Sequence, residues 1–149
     1  MNVQQLVSAI GQLGTQDALQ CRLSLEEWRQ LAPYLAVRFL QPGDVLMREG
    51  DTERELFILA EGELQVVLND AVLARLRPGT VVGEGAFFSG QPRSATVRAD
   101  GGCVVWGLTW ARFEAMCHKH PRLALDLTRA LAAVLAVRMR EAILVGHFA

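Results

Sequence analysis

Between Phe39 and Leu108 the chain is a succession of short apolar runs, each closed by a turn signal. The turns are Gln41-Pro42-Gly43-Asp44, Glu49-Gly50-Asp51, Glu61-Gly62, Arg77-Pro78-Gly79 and Gly101-Gly102. Closely spaced strands with regular turns build an antiparallel sandwich or barrel. The clearest unit runs from Glu63 to Leu76, with Asn69-Asp70 in the middle. Both residues tolerate positive φ, so this reads as a hairpin with a two-residue loop. Leu64, Val66 and Leu68 alternate with Gln65 and Val67, which makes one face apolar and the other mixed.

Helical periodicity brackets this block. Leu6, Ile10 and Leu13 share a face, weakened by Gly11 and Gly14. Ser24 and Glu27 have the spacing of a capping box, in which each side chain satisfies an orphan amide of a new helix. Trp28, Leu31 and Leu35 then line one face, and Pro33 predicts a break. After Thr109, Trp110, Phe113 and Cys117 fall on one face of another helix. Pro121 suits the first position of a long helix, expected to run to Val145 with Gly146 as its cap. That helix carries two apolar stripes. Leu123, Leu127, Leu131 and Val134 form one; Leu125, Thr128, Ala132, Leu135 and Met139 form the other. The first is expected on the sheet and the second on a partner chain.

The expected organisation is a single domain over 1–149: N-terminal helices over 1–38, the β block over 39–108 and C-terminal helices over 109–149. A chain of 149 residues suits one domain. With 51% hydrophobic and 21% charged residues, it is not a disordered polymer. Fifteen Lys and Arg against 16 Asp and Glu leave a net charge of −1, without the basic excess of a nucleic-acid binder. Cys21, Cys103 and Cys117 are sparse and unpaired in spacing, so buried, reduced thiols are expected rather than a disulfide framework. The N-terminus lacks a basic, apolar signal sequence. The greasiest stretch, 123–145, is interrupted by Asp126, Arg129, Arg138, Arg140 and Glu141 and is too charged to span a bilayer. A cytoplasmic protein without membrane insertion is expected.

The segment from Val81 to Val97 carries the chemistry. Gly83, Gly85 and Ala86 let backbone amides approach an anion. Arg93 can give a two-pronged bond to phosphate, and Ser94 adds a hydroxyl donor. Glu84 accepts hydrogen bonds, which is wrong for phosphate and right for a sugar hydroxyl. A phosphorylated sugar fits this set. The competing reading is a loop in which Glu84 and Arg93 only pair with each other, which is worth little when exposed.

Gly83-Glu84 followed by Arg93-Ser94-Ala95-Thr96 resembles the phosphate-binding cassette of the cyclic-nucleotide-binding domain family. That family includes the catabolite activator protein and the regulatory subunits of cyclic-AMP-dependent protein kinase. The resemblance extends from about Leu23 to Glu141 and takes in the turns at Pro42-Gly43, Gly50-Asp51, Glu61-Gly62 and Pro78-Gly79. It implies an eight-stranded antiparallel β-roll, of double-stranded β-helix or jelly-roll type, with flanking helices. It implies phosphate contacts from Arg93 and Ser94, a ribose contact from Glu84, and backbone contacts from Gly83 and Ala86, with Gly85 and Ala95 in the same cassette. Val66 and Leu73 align with positions lining the base pocket, and Arg138 with a position that caps the base. Gly85 departs from the aliphatic residue usual in the family. Glycine costs about 1 kcal/mol against alanine in a helix, so it loosens the cassette.

The chain carries no helix-turn-helix after its long helix, so a stand-alone sensor is expected, not a DNA-binding protein. The implied ligand is a cyclic mononucleotide, with cyclic AMP (cAMP) favoured by Ser94 and cyclic GMP (cGMP) as the other choice. No cofactor and no enzymatic activity are expected. The output passes to a homodimer mate or a partner protein through the C-terminal and N-terminal helices. Arg93→Ala is expected to remove the phosphate contact and leave the fold intact. Three alternatives stand beside this reading. One is a degenerate roll serving as a protein-interaction scaffold. Another is a roll retuned to a cyclic dinucleotide. The third is a metal-dependent jelly-roll enzyme, disfavoured because His118, His120 and His147 all lie outside the β block, although Cys117, His118 and His120 sit close together.

Overall fold

The computed structural model describes residues 3–13, 19 and 23–144. Cys21, Val145, Gly146 and His147 lie outside the described residues. The first helix, α1 (Val3–Leu13), buries Leu6 and Ile10. The capping box forms as expected on α2 (Leu25–Leu31), with Glu27 N donating to Ser24 Oγ and Ser24 N to Glu27 Oε1. Pro33 ends that helix in a 3₁₀ turn, Ala32–Tyr34.

Eight strands follow: β1 (Ala36–Leu40), β2 (Val45–Met47), β3 (Glu55–Glu61), β4 (Leu64–Leu68), β5 (Ala71–Leu76), β6 (Val81–Val82), β7 (Thr96–Ala99) and β8 (Cys103–Thr109). The β block opens at Ala36, ahead of the expected Phe39. A short helix, α3 (Glu84–Ser89), interrupts it between β6 and β7. Two helices, α4 (Trp110–Lys119) and α5 (Pro121–Leu144), complete the chain.

The strands form two four-stranded antiparallel sheets, ordered β1-β8-β3-β6 and β2-β7-β4-β5. The first is covered on both faces. Along β3, Leu56, Ile58 and Ala60 join the helical core with Trp106 and Leu108, while Phe57 and Leu59 face the second sheet with Val105. This explains why β3 and β8 read as continuous apolar runs: a sheet buried on both sides has no polar face to supply. The β4–β5 hairpin turns at Asn69 and Asp70, with φ of 53° and 61°. Both central residues are left-handed, as a type I′ turn requires.

On α5, Leu123, Leu127, Leu131 and Val134 are buried, and the second stripe faces outward. On α4 the expected face is shifted. Met116, not Cys117, accompanies Phe113 into the core, and Cys117 is exposed. Helical positions 116 and 117 lie about 100° apart, so the thiol turns toward solvent. Cys103 is buried, as expected. Among the described residues, no helix is long and apolar enough to cross a membrane.

Candidate functional site

Gly83 opens the site. Its φ of 86° is left-handed, and a Cβ there would lie 2.8 Å from Arg93 Nη1 and 3.0 Å from both Glu55 O and Met47 Cε. Glycine is therefore required twice over, for conformation and for space. The chain then enters α3, which ends on left-handed Gly90, and returns through Arg93 to β7. The backbone of Arg93 is docked on the Gly50-Asp51 turn. Arg93 N donates to Asp51 O and Gly50 N donates to Arg93 O, each at 2.8 Å.

The Arg93 side chain is only 5% exposed. Nη1 donates to Gly83 O at 2.9 Å and Nη2 to Glu55 O. Nε is buried without a hydrogen-bond partner. Burial pulls the guanidinium's pKa down, against the carboxylates of Glu53, Glu55, Glu84 and Asp51. A buried cation with an idle donor is costly unless something anionic meets it. Arg93→Ala also carries a cost in stability. The guanidinium supplies two part-buried carbonyls with their donors, so truncation costs roughly 1–3 kcal/mol of stability.

Glu84, 7% exposed, does not pair with Arg93. Its Oε1 accepts from Nη1 of Arg138, which reaches in from α5 and also donates from Nη2 to Val81 O at 2.7 Å. The competing loop reading, a Glu84–Arg93 pair, is replaced by a clasp between the cassette and the long helix.

These groups surround a cavity of about 200 Å³. Its walls include Val66, Gly83, Glu84, Gly85, Ala86, Arg93, Ser94 and Ala95. The family model for the cyclic nucleotide-binding domain matches residues 37–120, which takes in the whole cassette.

The chain belongs to the cyclic nucleotide-binding domain family.

Glutaminase 1 of Bradyrhizobium diazoefficiens is 36% identical over 78% of this chain, which covers 19% of that protein. The catabolite activator protein of Thermus thermophilus superposes with a TM-score of 0.74 at 28% identity, over 85% of this chain and 60% of that one. A cyclic nucleotide-binding domain from Methylobacillus flagellatus shares the fold, with a TM-score of 0.80 at 23% identity, over 94% of this chain and 79% of that one. The chain spans between 10% and 26% of the length of the curated relatives it matches first. The domain is thus a regulatory module of the cyclic nucleotide-binding kind.

Within this cyclic nucleotide-binding domain, two expected residues stand apart from the cavity wall. Leu73 is 60% exposed on β5. It is the extra residue of a bulge, where Val66 pairs with Ala74 and Val67 with Val72. Arg138 closes on Glu84 instead of lining the cavity. Three wall residues escaped the sequence reading: Met47, Val82 and Val97. Val82 and Val97 flank the cassette on β6 and β7, and Val97 pairs with Val66, so strand alternation on either side of the cassette could have found them. Met47 comes from β2, which only the fold brings near.

A larger cavity, about 580 Å³, separates α1 from the Glu61-Gly62 and Arg77-Pro78 turns. Its polar walls, Gln5, Ser8, Gln12, Glu61 and Arg77, are all exposed, and none presents a buried charge. Among the described residues no group of three or more His, Cys, Asp and Glu side chains is placed to hold a metal ion.

Proposed function

We propose that this domain senses a cyclic mononucleotide, cAMP in preference to cGMP, through the Gly83–Ala95 cassette. The observation that carries this reading is Arg93, a buried guanidinium with an idle Nε beside the cavity. Its charge-assisted bonds suit the cyclic phosphate. Ser94, at the exposed mouth, adds a hydroxyl. Glu84 accepts from the ribose 2′-hydroxyl, and Val66, Val82, Met47 and Val97 offer apolar surface. The cavity is smaller than the roughly 300–1,000 Å³ of pockets for drug-sized ligands. It suits the phosphoribose half, and the base extends toward β5 and α5. Ligand binding at Glu84 then competes with Arg138, which leaves Glu84 to meet the base. The shift of α5 that follows is the signal, and a ligand can drive it only through unequal affinity for the two states. The outward stripe of α5, together with α1, passes the signal to a second copy or a partner protein.

A cyclic mononucleotide of about 22 heavy atoms, at roughly 0.3 kcal/mol per atom, binds with a Kd on the order of 10 μM. Thermal unfolding tests the reading. A hundredfold excess over Kd of cAMP adds about 2.7 kcal/mol, or roughly 5–10 °C. The shift is smaller with cGMP and absent with a cyclic dinucleotide. Arg93→Lys keeps the charge but loses the fork, and weakens binding by roughly 10–150-fold, the worth of one charged hydrogen bond. Undiminished binding to Arg93→Lys and Arg93→Ala sinks the assignment of Arg93. Absence of any shift in the unmodified chain sinks the sensor reading.

A further inference from the structure

The structure assigns to Arg54 a role outside the binding site: we propose that it is the positioning residue that transmits occupancy of the cassette to α4 and α5. The inference rests on the proposed ligand site but concerns a different residue and a different readout.

Arg54 stands immediately before β3 and makes four connections. Its Nε donates to Phe87 O at 2.9 Å and its Nη2 to Phe88 O at 3.0 Å, which supplies two of the last carbonyls of α3 with donors. Its guanidinium carbon sits over the indole of Trp110, 3.7 Å from the ring centroid. Its own carbonyl accepts from Trp110 N at 2.9 Å. Trp110 is the first residue of α4. One side chain thus grips the end of the cassette helix and the start of the helix that leads to α5.

The input is next door. Glu55 O, on the following residue, is the acceptor for Arg93 Nη2. When Arg93 turns to a phosphate, the strain on that bond falls on the segment that Arg54 anchors. Around this anchor, Phe87 meets Trp110 and Phe113 with ring centroids 5.2 and 5.4 Å apart, and Phe88 meets Phe113 at 5.9 Å. These edge-to-face contacts hold the rings at preferred angles but carry no hydrogen bond that ties the backbone of α3 to that of α4. The planar fork of Arg54 fixes which displacement of α3 becomes which displacement of α4, because two hydrogen bonds to adjacent carbonyls and the contact with the Trp110 ring restrict the guanidinium at once.

The test uses the full chain and hydrogen exchange with and without saturating cAMP, with Kd measured calorimetrically on the same samples. In the unmodified protein, cAMP changes exchange in the cassette and changes exchange of α4 and α5 amides at least about fivefold, the lower end of ordinary coupling. In Arg54→Met, cAMP still binds with a Kd within about fivefold, and the change in the cassette persists. The change in α4 and α5 falls to less than about twofold. A purely structural role for Arg54 would speed exchange throughout yet leave the cAMP-dependent ratio in α4 and α5 intact, and that result overturns the inference. Arg54→Lys retains the charge but not the planar fork, and it serves as the deciding variant where the Met variant does not fold. Its ratio falls at least about threefold, and full coupling in it also overturns the inference. Binding without any change in α4 and α5 of the unmodified protein overturns it too. Absence of binding by both cAMP and cGMP to the unmodified protein removes the sensor reading itself, and the role of Arg54 falls with it.

Discussion

Single residues in this domain do more than one task, and their environments can be separated by titration. Glu55 shows this most clearly. Its carbonyl holds Arg93, and its carboxylate lies against the backbone of Gly107, where a Cβ would come close to Oε2. Burial pushes the carboxyl's pKa above its ordinary 4.5, and Arg38, 4.0 Å away, only partly opposes this. The folded state therefore holds this proton more tightly than the unfolded chain does. The stability tied to it is fully present below pH 4.5 and is lost as pH rises through the folded value. Glu55→Gln keeps the shape without the charge. The melting temperature of the variant relative to the unmodified protein is expected to climb between pH 4 and pH 7. A difference that falls with pH would show that Arg38 outweighs burial, and a flat one that the two cancel. The roles proposed for Glu84 and Arg93 follow from their chemistry alone: an acceptor suits a hydroxyl and a forked donor suits a phosphate. Arg93 as a brace for two carbonyls was not legible, since those carbonyls come from distant segments.

At the scale of elements, α3 shows two glycines under opposite constraints. A Cβ on Gly83 would collide with Arg93, Glu55 and Met47 at 2.8–3.0 Å, whereas one on Gly85 meets nothing within 4 Å. Gly85 has ordinary helical backbone, so Gly85→Ala is expected to stabilise the fold by up to about 1 kcal/mol. It should tighten cAMP binding too, by preorganising the helix. Gly83→Ala is expected to lower the melting temperature and weaken binding more than tenfold, because Arg93 must give way. Thermal melts and calorimetry on the pair check this, and equal effects would mean that the cassette tolerates movement at Gly83. The capping box and the Asn69-Asp70 turn follow from local rules. The bulge at Leu73 does not. It depends on how β5 registers against β4, and it leaves Leu73 exposed, apart from the wall of the cassette cavity.

For the molecule as a whole, the long helix joins the candidate site to an exposed apolar stripe. Its inner stripe is buried in the core it shares with α2, α3 and α4, Arg138 reaches into the cassette, and its outer stripe leaves Leu125 43% and Met139 53% exposed. Leu125, Ala132 and Met139 recur every seven residues, the spacing of a helical seam between chains. If that seam joins two copies, sedimentation of the unmodified protein reports a dimer, and Met139→Glu reports a monomer with the same fold. A monomeric unmodified protein would direct the search to a different partner.

The residues alone carried the β block with its turns, the hairpin, the capping box and the polar set of the cassette, because each depends on neighbours in sequence whose φ preferences and hydrogen-bonding groups are intrinsic. Their two-stripe pattern also announced a helix with an inside and an outside. Three features were settled only by packing: Glu84 answering to Arg138 across 54 positions, Arg54 bridging α3 and α4, and Met47 and Val97 sharing one wall. Each joins groups far apart in sequence. Their distance is fixed by how the two sheets and the helices close on a common core, and no local rule contains it.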